Sequence, residues 1–203
     1  MDHGRYARFT GSLFFILAGL AFSPRSQAQT LPLPSVPPGS YQLNHTAITI
    51  SYNPHHKQAD WVAYNLGSDQ LRSCVARGNN FRPDPMVRAG DSASLADYSK
   101  SGFDRGHQSP AGDNRFSAAA MSESFLLSNM SPQQGPFNQG IWARLENLVR
   151  AWGLQADDGL WVVTGPILNL IDQVIGPNSV SVPHAYYKAI IAKNKAHYSG
   201  IAL

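Results

Sequence analysis

The sequence predicts an α+β domain with a mostly antiparallel sheet. Several apolar or alternating runs have the length of strands, and glycine, proline or asparagine bounds them. Only one long stretch has the spacing of an amphipathic helix. The body after residue 40 is long enough for one well-buried core and too short for two domains. Runs of strands with few helices indicate the α+β class.

Residues 1–28 resemble a signal peptide. Arg5 and Arg8 precede an apolar stretch from Leu13 to Phe22, and small residues precede a predicted cleavage after Ala28. This stretch is shorter than the roughly 20 residues that a membrane span requires, so no stable membrane association is expected. The leader therefore predicts a secreted or periplasmic protein.

Residues 29–40 are rich in proline and are predicted to be an extended linker, which leaves 41–203 as the folded domain. The only cysteine, Cys74, excludes an intramolecular disulfide and a cysteine zinc cluster, and a buried thiol is expected. Removing residues 1–28 takes away three arginines and one aspartate, which lowers the net charge from +3 to +1. General attraction of the whole protein to nucleic acid is therefore modest.

The strands predicted in the folded body lie at 47–52, 60–66, 160–164, 180–182 and 186–192. A further strand is expected at 102–107, which contains Asp104, Arg105, Gly106 and His107. Alternation then places Arg105 and His107 on one face. Histidine suits general base catalysis near neutral pH, and arginine suits a phosphate. Gly106 permits a close backbone approach, and Asp104 is predicted to be a structural acceptor.

The helix is predicted from about residue 138, with Ile141, Leu145, Leu148 and Trp152 forming its apolar stripe. Asn138 is either the helix N-cap or a ligand whose carbonyl oxygen binds magnesium. Glu146 lies eight residues later, roughly 12 Å along a helix axis, so it would not share direct coordination with Asn138. It is interpreted as a group that holds the waters of the metal, or as a surface ion-pair partner.

Two blocks carry a resemblance to a known family. The first is Asp104-Arg105-Gly106-His107, continuing as Gln108-Ser109-Pro110-Ala111, and the second runs from Leu127 to Gln133 and then from Phe137 to Trp142. In this order and at this separation, they resemble the DNA/RNA non-specific endonuclease family, which includes secreted Serratia-type nucleases and endonuclease G. Weaker matches extend over nearly all of the chain after residue 40.

The resemblance implies a ββα metal-binding core, with His107 on the hairpin and Asn138 at the start of the helix. By matching positions, His107 would be the general base, Asn138 the metal ligand and Arg105 a phosphate contact. Asn129 would help to position the site, and Glu146 would order the waters of the metal. An upstream arginine is also implied at the phosphate; Arg77 matches that position best, and Arg82 remains a rival.

The implied function is a sugar-non-specific endonuclease that cleaves DNA and RNA with one Mg²⁺, or Mn²⁺, and leaves 5′-phosphates. Phosphate contacts carry little sequence information, so low sequence preference and strong salt dependence follow. Arginines before and after the signature would form a phosphate-binding surface if they converge: Arg72, Arg77, Arg82, Arg88, Arg105, Arg115, Arg144 and Arg150. The alternative is a secreted nucleic-acid-binding protein of the same fold without catalysis.

The C-terminal boundary is a departure from the family. Members usually continue beyond the strand that contains Tyr186-Tyr187-Lys188, whereas this chain stops at Leu203. The domain at 41–203 is therefore expected to be either C-terminally truncated or a minimal version. The sequence leaves a protein inhibitor and a homodimer open as partners.

Overall fold

The computed structural model describes residues 33–72, 75–194 and 197–203, and the side chains of 193–198 are left aside. A six-stranded antiparallel sheet in the order β1-β2-β3-β6-β9-β10 organises the domain. Its strands are β1 (Tyr41–Asn44), β2 (Ile48–Asn53), β3 (Gln58–Leu66), β6 (Leu160–Pro166), β9 (Tyr186–Asn194) and β10 (His197–Ala202). This architecture confirms the predicted α+β class with a mostly antiparallel sheet.

The connection between β3 and β6 contains the predicted signature. It carries the hairpin β4 (Phe103–His107) and β5 (Met130–Gln134), and the helices α1 (Ser68–Leu71), α2 (Leu95–Tyr98), α3 (Ala118–Glu123) and α4 (Ala143–Gln155). A π-helical turn, Phe137–Trp142, leads directly into α4. Two short strands, β7 (Val174–Ile175) and β8 (Val180–Ser181), pair between β6 and β9. The ββα unit expected from the family resemblance is therefore present.

The main core lies between the sheet and α4. Alternation directs Val62, Tyr64 and Leu66 of β3 to the helix side, where Val149 of α4 packs against the same cluster. Trp61 points to the opposite face of the sheet. Burying one face of the sheet under a helix is the usual way to complete an α+β core.

The predicted apolar stripe of α4 is partly wrong. Leu145 and Trp152 pack against the main core, but Ile141 and Leu148 are exposed by 58% and 45%. Val149 is buried in their place. The helix is therefore turned so that one flank, carrying Glu146 and Arg150, faces polar groups of the site instead of water. The spacing of apolar residues alone does not predict that this flank of the helix faces charged and polar groups.

The strands found but not predicted are short, polar or proline-containing. β1 and β7 have four and two residues, and β5 contains Pro132, which normally argues against a strand.

Several predictions fall on parts of the chain that are left undescribed. The leader at 1–28, the start of the linker and Cys74 lie outside the described residues. In residues 33–72, 75–194 and 197–203, no helix combines the length and the hydropathy that crossing a membrane requires.

Candidate active site

The β4–β5 hairpin presents the signature residues, and its two strands are in close contact at Gly106. A Cβ at this position would overlap the side chain of Gln133 on β5. A larger residue would require the buried Gln133 side chain to move, so the glycine of the signature fulfils the predicted close approach. Ser131 of β5 donates to Gln58 Oε1 at 2.5 Å and pairs with the Tyr186 hydroxyl at 2.9 Å. These contacts fix the hairpin to the main sheet.

His107 ends β4 and lies almost entirely below the surface, with 9% of its area exposed. Its ring centroid is 5.1 Å from that of Phe125 and 5.8 Å from that of Phe81. Burial, together with the smaller effects of the Arg77 and Arg105 charges, lowers the pKa of His107 to about 3. The imidazole is therefore neutral at physiological pH and is able to accept a proton.

Arg105 lies on a cleft of about 750 Å³ that Asn138, Asp104, Phe81 and Phe103 also line. The guanidinium carbon of Arg105 is 4.2 Å from the centroid of the Phe81 ring. This contact holds a cation at the wall of the cleft, at a distance that suits a cation–π interaction. The cleft thus has a positive charge beside an amide from the helix start.

The structure places Arg77 and Arg82 differently. Arg77 is exposed, its guanidinium carbon is 5.3 Å from the Phe125 ring, and its charge acts on His107 and Glu146. Arg82 donates to the backbone carbonyls of Asn80 at 3.1 Å and Ser122 at 2.9 Å. The geometry therefore favours Arg77 for contact with a phosphate at the site, whereas Arg82 braces a loop.

Asn138 lies in the π-helical turn and does not cap the helix. Its Nδ2 donates to Asp104 Oδ2 at 2.9 Å, and Gln139 Nε2 donates to the same oxygen at 2.8 Å. The predicted acceptor role of Asp104 is thereby confirmed, and the N-cap interpretation of Asn138 is wrong. Because the amide nitrogen is occupied by Asp104, the carbonyl oxygen Oδ1 is the atom of Asn138 that suits a cation.

The oxygen ligand that Asn138 offers suits a magnesium ion. The described residues contain no group of three histidine, cysteine or acidic side chains arranged for a metal. Magnesium takes oxygen ligands, keeps several waters and is commonly bound by only one or two protein groups. The Asn138 amide oxygen, held by Asp104, meets that requirement, whereas a zinc site would need more nitrogen or sulfur ligands.

Asn129 is fully buried just before β5 and contacts no open surface. Its Oδ1 accepts from the Ser109 amide at 2.9 Å, and its Nδ2 donates to the carbonyls of Ser109 at 2.9 Å and Ser124 at 2.8 Å. Ser109 follows His107 by two residues. Asn129 therefore fixes the chain that leaves the histidine, which is a positioning role.

Glu146 lies on α4 beside a group of buried charges. Burial raises the pKa of Glu146 to about 7, although Lys188, Arg150 and Arg77 act in the opposite direction. Four residues later on the same helix, Arg150 donates to Asp113 Oδ1 at 2.7 Å. Tyr64 donates to the other oxygen of Asp113 at 3.1 Å. Glu146 is thus partly buried among charges and is not a surface ion-pair partner.

Sequence reasoning missed the contribution of Arg150 and Lys188 to this group. It considered Arg150 only as one of several basic residues, and Lys188 only as part of a strand. The spacing of four residues between Glu146 and Arg150 was an available signal, because such pairs share a helix face. Nothing local in the sequence marks Lys188, which reaches the group only through the sheet.

The predicted phosphate surface of converging arginines is not formed by the full set. Arg115 donates to the Val75 carbonyl at 3.0 Å, and Arg88 stacks on Tyr41 at 4.4 Å. Arg82 and Arg150 are also engaged within the protein. Arg77 and Arg105 are the two of these arginines whose charges act on His107.

The model of the DNA/RNA non-specific endonuclease family matches residues 29–203. The chain therefore belongs to the DNA/RNA non-specific endonuclease family.

Curated relatives support the same family. The chain is 39% identical over 176 residues to nuclease EXOG of Danio rerio, covering 81% of this chain and 51% of that protein. It is 36% identical over 166 residues to human endonuclease G, covering 76% of this chain and 56% of that protein. Nuclease C1 of Cunninghamella echinulata var. echinulata is 37% identical over 177 residues, and the match covers 79% of this chain and 70% of that protein. The chain thus spans about half the length of the EXOG relatives it matches.

The fold also matches a solved structure. A crystal structure of the EndoG/EndoGI complex, whose title concerns EndoG inhibition, aligns with a TM-score of 0.73 and 30% identity. The match covers 79% of this chain and 71% of that one. It agrees with the α+β architecture described above.

The predicted secreted or periplasmic location is wrong. The EXOG and endonuclease G relatives are named as mitochondrial nucleases, in Danio rerio, mouse and human among others. These names point to mitochondria instead. The leader pattern at 1–28 was therefore an insufficient basis for the location.

Proposed function

We propose that this protein is a metal-dependent endonuclease that hydrolyses phosphodiester bonds of DNA and RNA. The observation that carries the proposal is the placement of His107, a neutral imidazole flanked by the charges of Arg77 and Arg105. Arg105 also lines the cleft that contains Asn138. A proton acceptor, phosphate-directed cations and a metal-compatible amide are the groups that hydrolysis of a phosphodiester requires.

His107 is the general base in this proposal. It takes a proton from the water that attacks phosphorus, because the buried ring holds no proton of its own at the acceptor nitrogen. The charges of Arg77 and Arg105 lower the pKa of the ring before substrate binds. A bound phosphate offsets both charges, so binding of the substrate itself raises the basicity of His107. The base is thereby strengthened when the reacting group arrives.

Arg105 and Arg77 stabilise the negative charge that develops on the phosphoryl oxygens in the transition state. Guanidinium groups suit this task because they stay charged and present several donors in one plane. Neither contact reads a base edge, so cleavage is expected with little sequence preference and on both DNA and RNA. Competition by salt follows from the same dependence on phosphate charge.

Asn138 would hold the metal through Oδ1, with Asp104 fixing its amide and Glu146 near the same site. When bound, a magnesium ion supplies positive charge that steadies the leaving oxygen. Manganese is the alternative, because oxygen ligands suit both ions. Asn129 contributes indirectly by holding the chain that follows His107.

Incubating the purified chain with plasmid DNA and with RNA, in magnesium and in chelator, tests the proposal. The expected result is magnesium-dependent degradation of both substrates and its loss in His107→Ala. His55→Ala is the matched control, because His55 is an exposed histidine in the turn between β2 and β3. The control should retain the wild-type rate.

The binding-only alternative predicts a different pattern. A folded, cooperatively melting sample that binds labelled DNA without cleaving it in magnesium or manganese would reject the nuclease function. Equal cleavage by wild type and His107→Ala would keep the nuclease function and reject the assigned base.

A further inference from the structure

Lys188 is a buried cation in an otherwise largely apolar part of the sheet. It lies on the helix-facing side of β9, paired in register with Thr164 of β6. None of its area is exposed, and its Nζ has no hydrogen-bond partner in the described part of the chain. Burying an ammonium group without hydrogen bonds is costly, so neighbouring charges must offset the cost.

The charged groups that act on Lys188 are Glu146, Asp113 and Arg150. Burial lowers the pKa of Lys188 to about 8, and the two carboxylates oppose this shift. Asp113 already accepts hydrogen bonds from Arg150 and Tyr64. Glu146, in contrast, makes no hydrogen bond to another described residue, and Lys188 is the cation with the largest electrostatic effect on it.

The position of Lys188 also ties it to the helix start. Its Nζ is 4.9 Å from the centroid of the Trp142 ring and 5.9 Å from that of Tyr64. Trp142 lies midway in sequence between Asn138 and Glu146. The electron-rich rings partly replace the lost hydration of the ammonium group. Lys188 therefore lies beneath the segment that joins the candidate metal ligand to the candidate acid.

The backbone of Lys188 is fixed independently of its side chain. Its amide donates to the Leu203 carbonyl at 2.9 Å, and the Leu203 amide donates back at 3.1 Å. Substituting the side chain leaves both hydrogen bonds available. The charge of Lys188 can thus be removed while the sheet keeps its register.

We propose that Lys188 is a positioning residue whose buried charge holds the Glu146 carboxylate at the base of the active site. The inference rests on the proposed nuclease function and extends it to a residue on a strand outside the ββα unit. Lys188 does not touch the substrate. It acts through Glu146, on the helix that also carries Arg150.

The test is a double-mutant cycle with Lys188→Met and Glu146→Gln, measured as kcat and KM on double-stranded DNA in magnesium. Lys188→Met should lower kcat by about 10- to 100-fold with KM close to the wild-type value, the range typical of groups that support a metal site. In the double variant, kcat should equal that of Glu146→Gln alone. This non-additivity would support action through Glu146.

Thermal unfolding separates positioning from a purely structural role. Lys188→Met leaves the Glu146 carboxylate without its buried counter-charge and should lower the melting temperature, whereas the double variant, which removes both charges, should recover part of the loss. Val162→Ala, in the same core, is the packing control. It should lower the melting temperature while the folded enzyme keeps its kcat. Lys188→Arg should retain more activity than Lys188→Gln, and this pair replaces Lys188→Met if that variant fails to fold.

The two proposals fail in different ways. No cleavage by folded wild type rejects the nuclease function, and the inference falls with it. Active wild type with an unaffected Lys188→Met, or with effects of Lys188→Met and Glu146→Gln that multiply, overturns the role of Lys188 alone. A Glu146→Gln variant with wild-type kcat overturns it as well.

Discussion

Asn138 donates its side-chain amide hydrogen to Asp104 across 2.9 Å, and this contact joins the π-helical turn before α4 to strand β4. Both residues line the same cleft. The contact selects one orientation of the amide, in which its oxygen is available to a cation. Asp104 thus acts on the candidate metal site by fixing its ligand.

Asp104→Ala should weaken binding of magnesium by about 10- to 100-fold, because the Asn138 amide loses the contact that orients it. The measurement is the magnesium concentration that gives half-maximal cleavage. Asp172→Ala is the control, since Asp172 is an exposed carboxylate that pairs with the exposed His184 at 3.0 Å. An unchanged magnesium requirement in Asp104→Ala would contradict the orienting role.

Substituting Arg77 and Arg82 should have different consequences. Arg77→Ala should lower kcat/KM by about 100-fold through loss of transition-state stabilisation, with little change in melting temperature. Arg82→Ala should chiefly reduce stability, because it leaves the Asn80 and Ser122 carbonyls without their donor. Each variant is the control for the other. A larger loss of activity in a fully folded Arg82→Ala would reverse the assignment.

Asn129→Ala should destabilise the protein by about 3 kcal/mol or more, since it removes three hydrogen bonds and leaves buried backbone groups unpaired. Urea unfolding measures the change, with the exposed Asn169→Ala as a matched control. A loss below 1 kcal/mol would show that Ser109 and Ser124 find other partners.

The stability of the protein should fall as pH decreases from about 6.5 towards 3 because of His107. Its pKa is 6.5 in the unfolded chain and about 3 in the folded protein, so in this window only the unfolded state takes up the proton. Above pH 6.5 neither state binds it and the effect vanishes. The contribution reaches about 1.4 kcal/mol per pH unit.

Urea unfolding of wild type and His107→Gln at several pH values isolates this contribution. The difference between their unfolding free energies should change with pH between about 6.5 and 3 and stay constant above that window. Glu146 and Lys188 also titrate abnormally, but both are present in the two proteins. Parallel profiles throughout would show that the pKa of His107 does not differ between the folded and unfolded states.

The sequence was sufficient for the elements that have a local signal. The alternating runs located β2, β3, β6 and β9 within a few residues, and the signature strand was found at β4. Only the family resemblance implied its partner strand, since Pro132 and its polar neighbours in β5 do not resemble a strand. What makes β5 a strand is its pairing with β4, which no local pattern encodes.

The residues of the candidate site likewise include some with a local sequence signal and some without one. His107, Arg105 and Asn138 belong to contiguous motifs, so the sequence alone was sufficient to propose them. The choice between Arg77 and Arg82 depends on which backbone carbonyls lie within reach of Arg82, and this requires coordinates. Lys188 is even harder to predict from sequence. It lies on β9, about 40 residues after the motifs, and only the folded sheet brings its charge near Glu146.

The site-bearing segment enters and leaves the sheet at one place, because Leu66 of β3 pairs with Leu160 of β6 at its two ends. Topologically, residues 67–159 are a long insertion in the loop of a β-hairpin. Loop-closure entropy grows only slowly with length, so a sheet tolerates such an insertion at modest cost. For protein engineering, the segment is a module with adjoining ends that suits transfer into another antiparallel sheet. A host sheet would also have to supply the cation of Lys188, which the module does not carry.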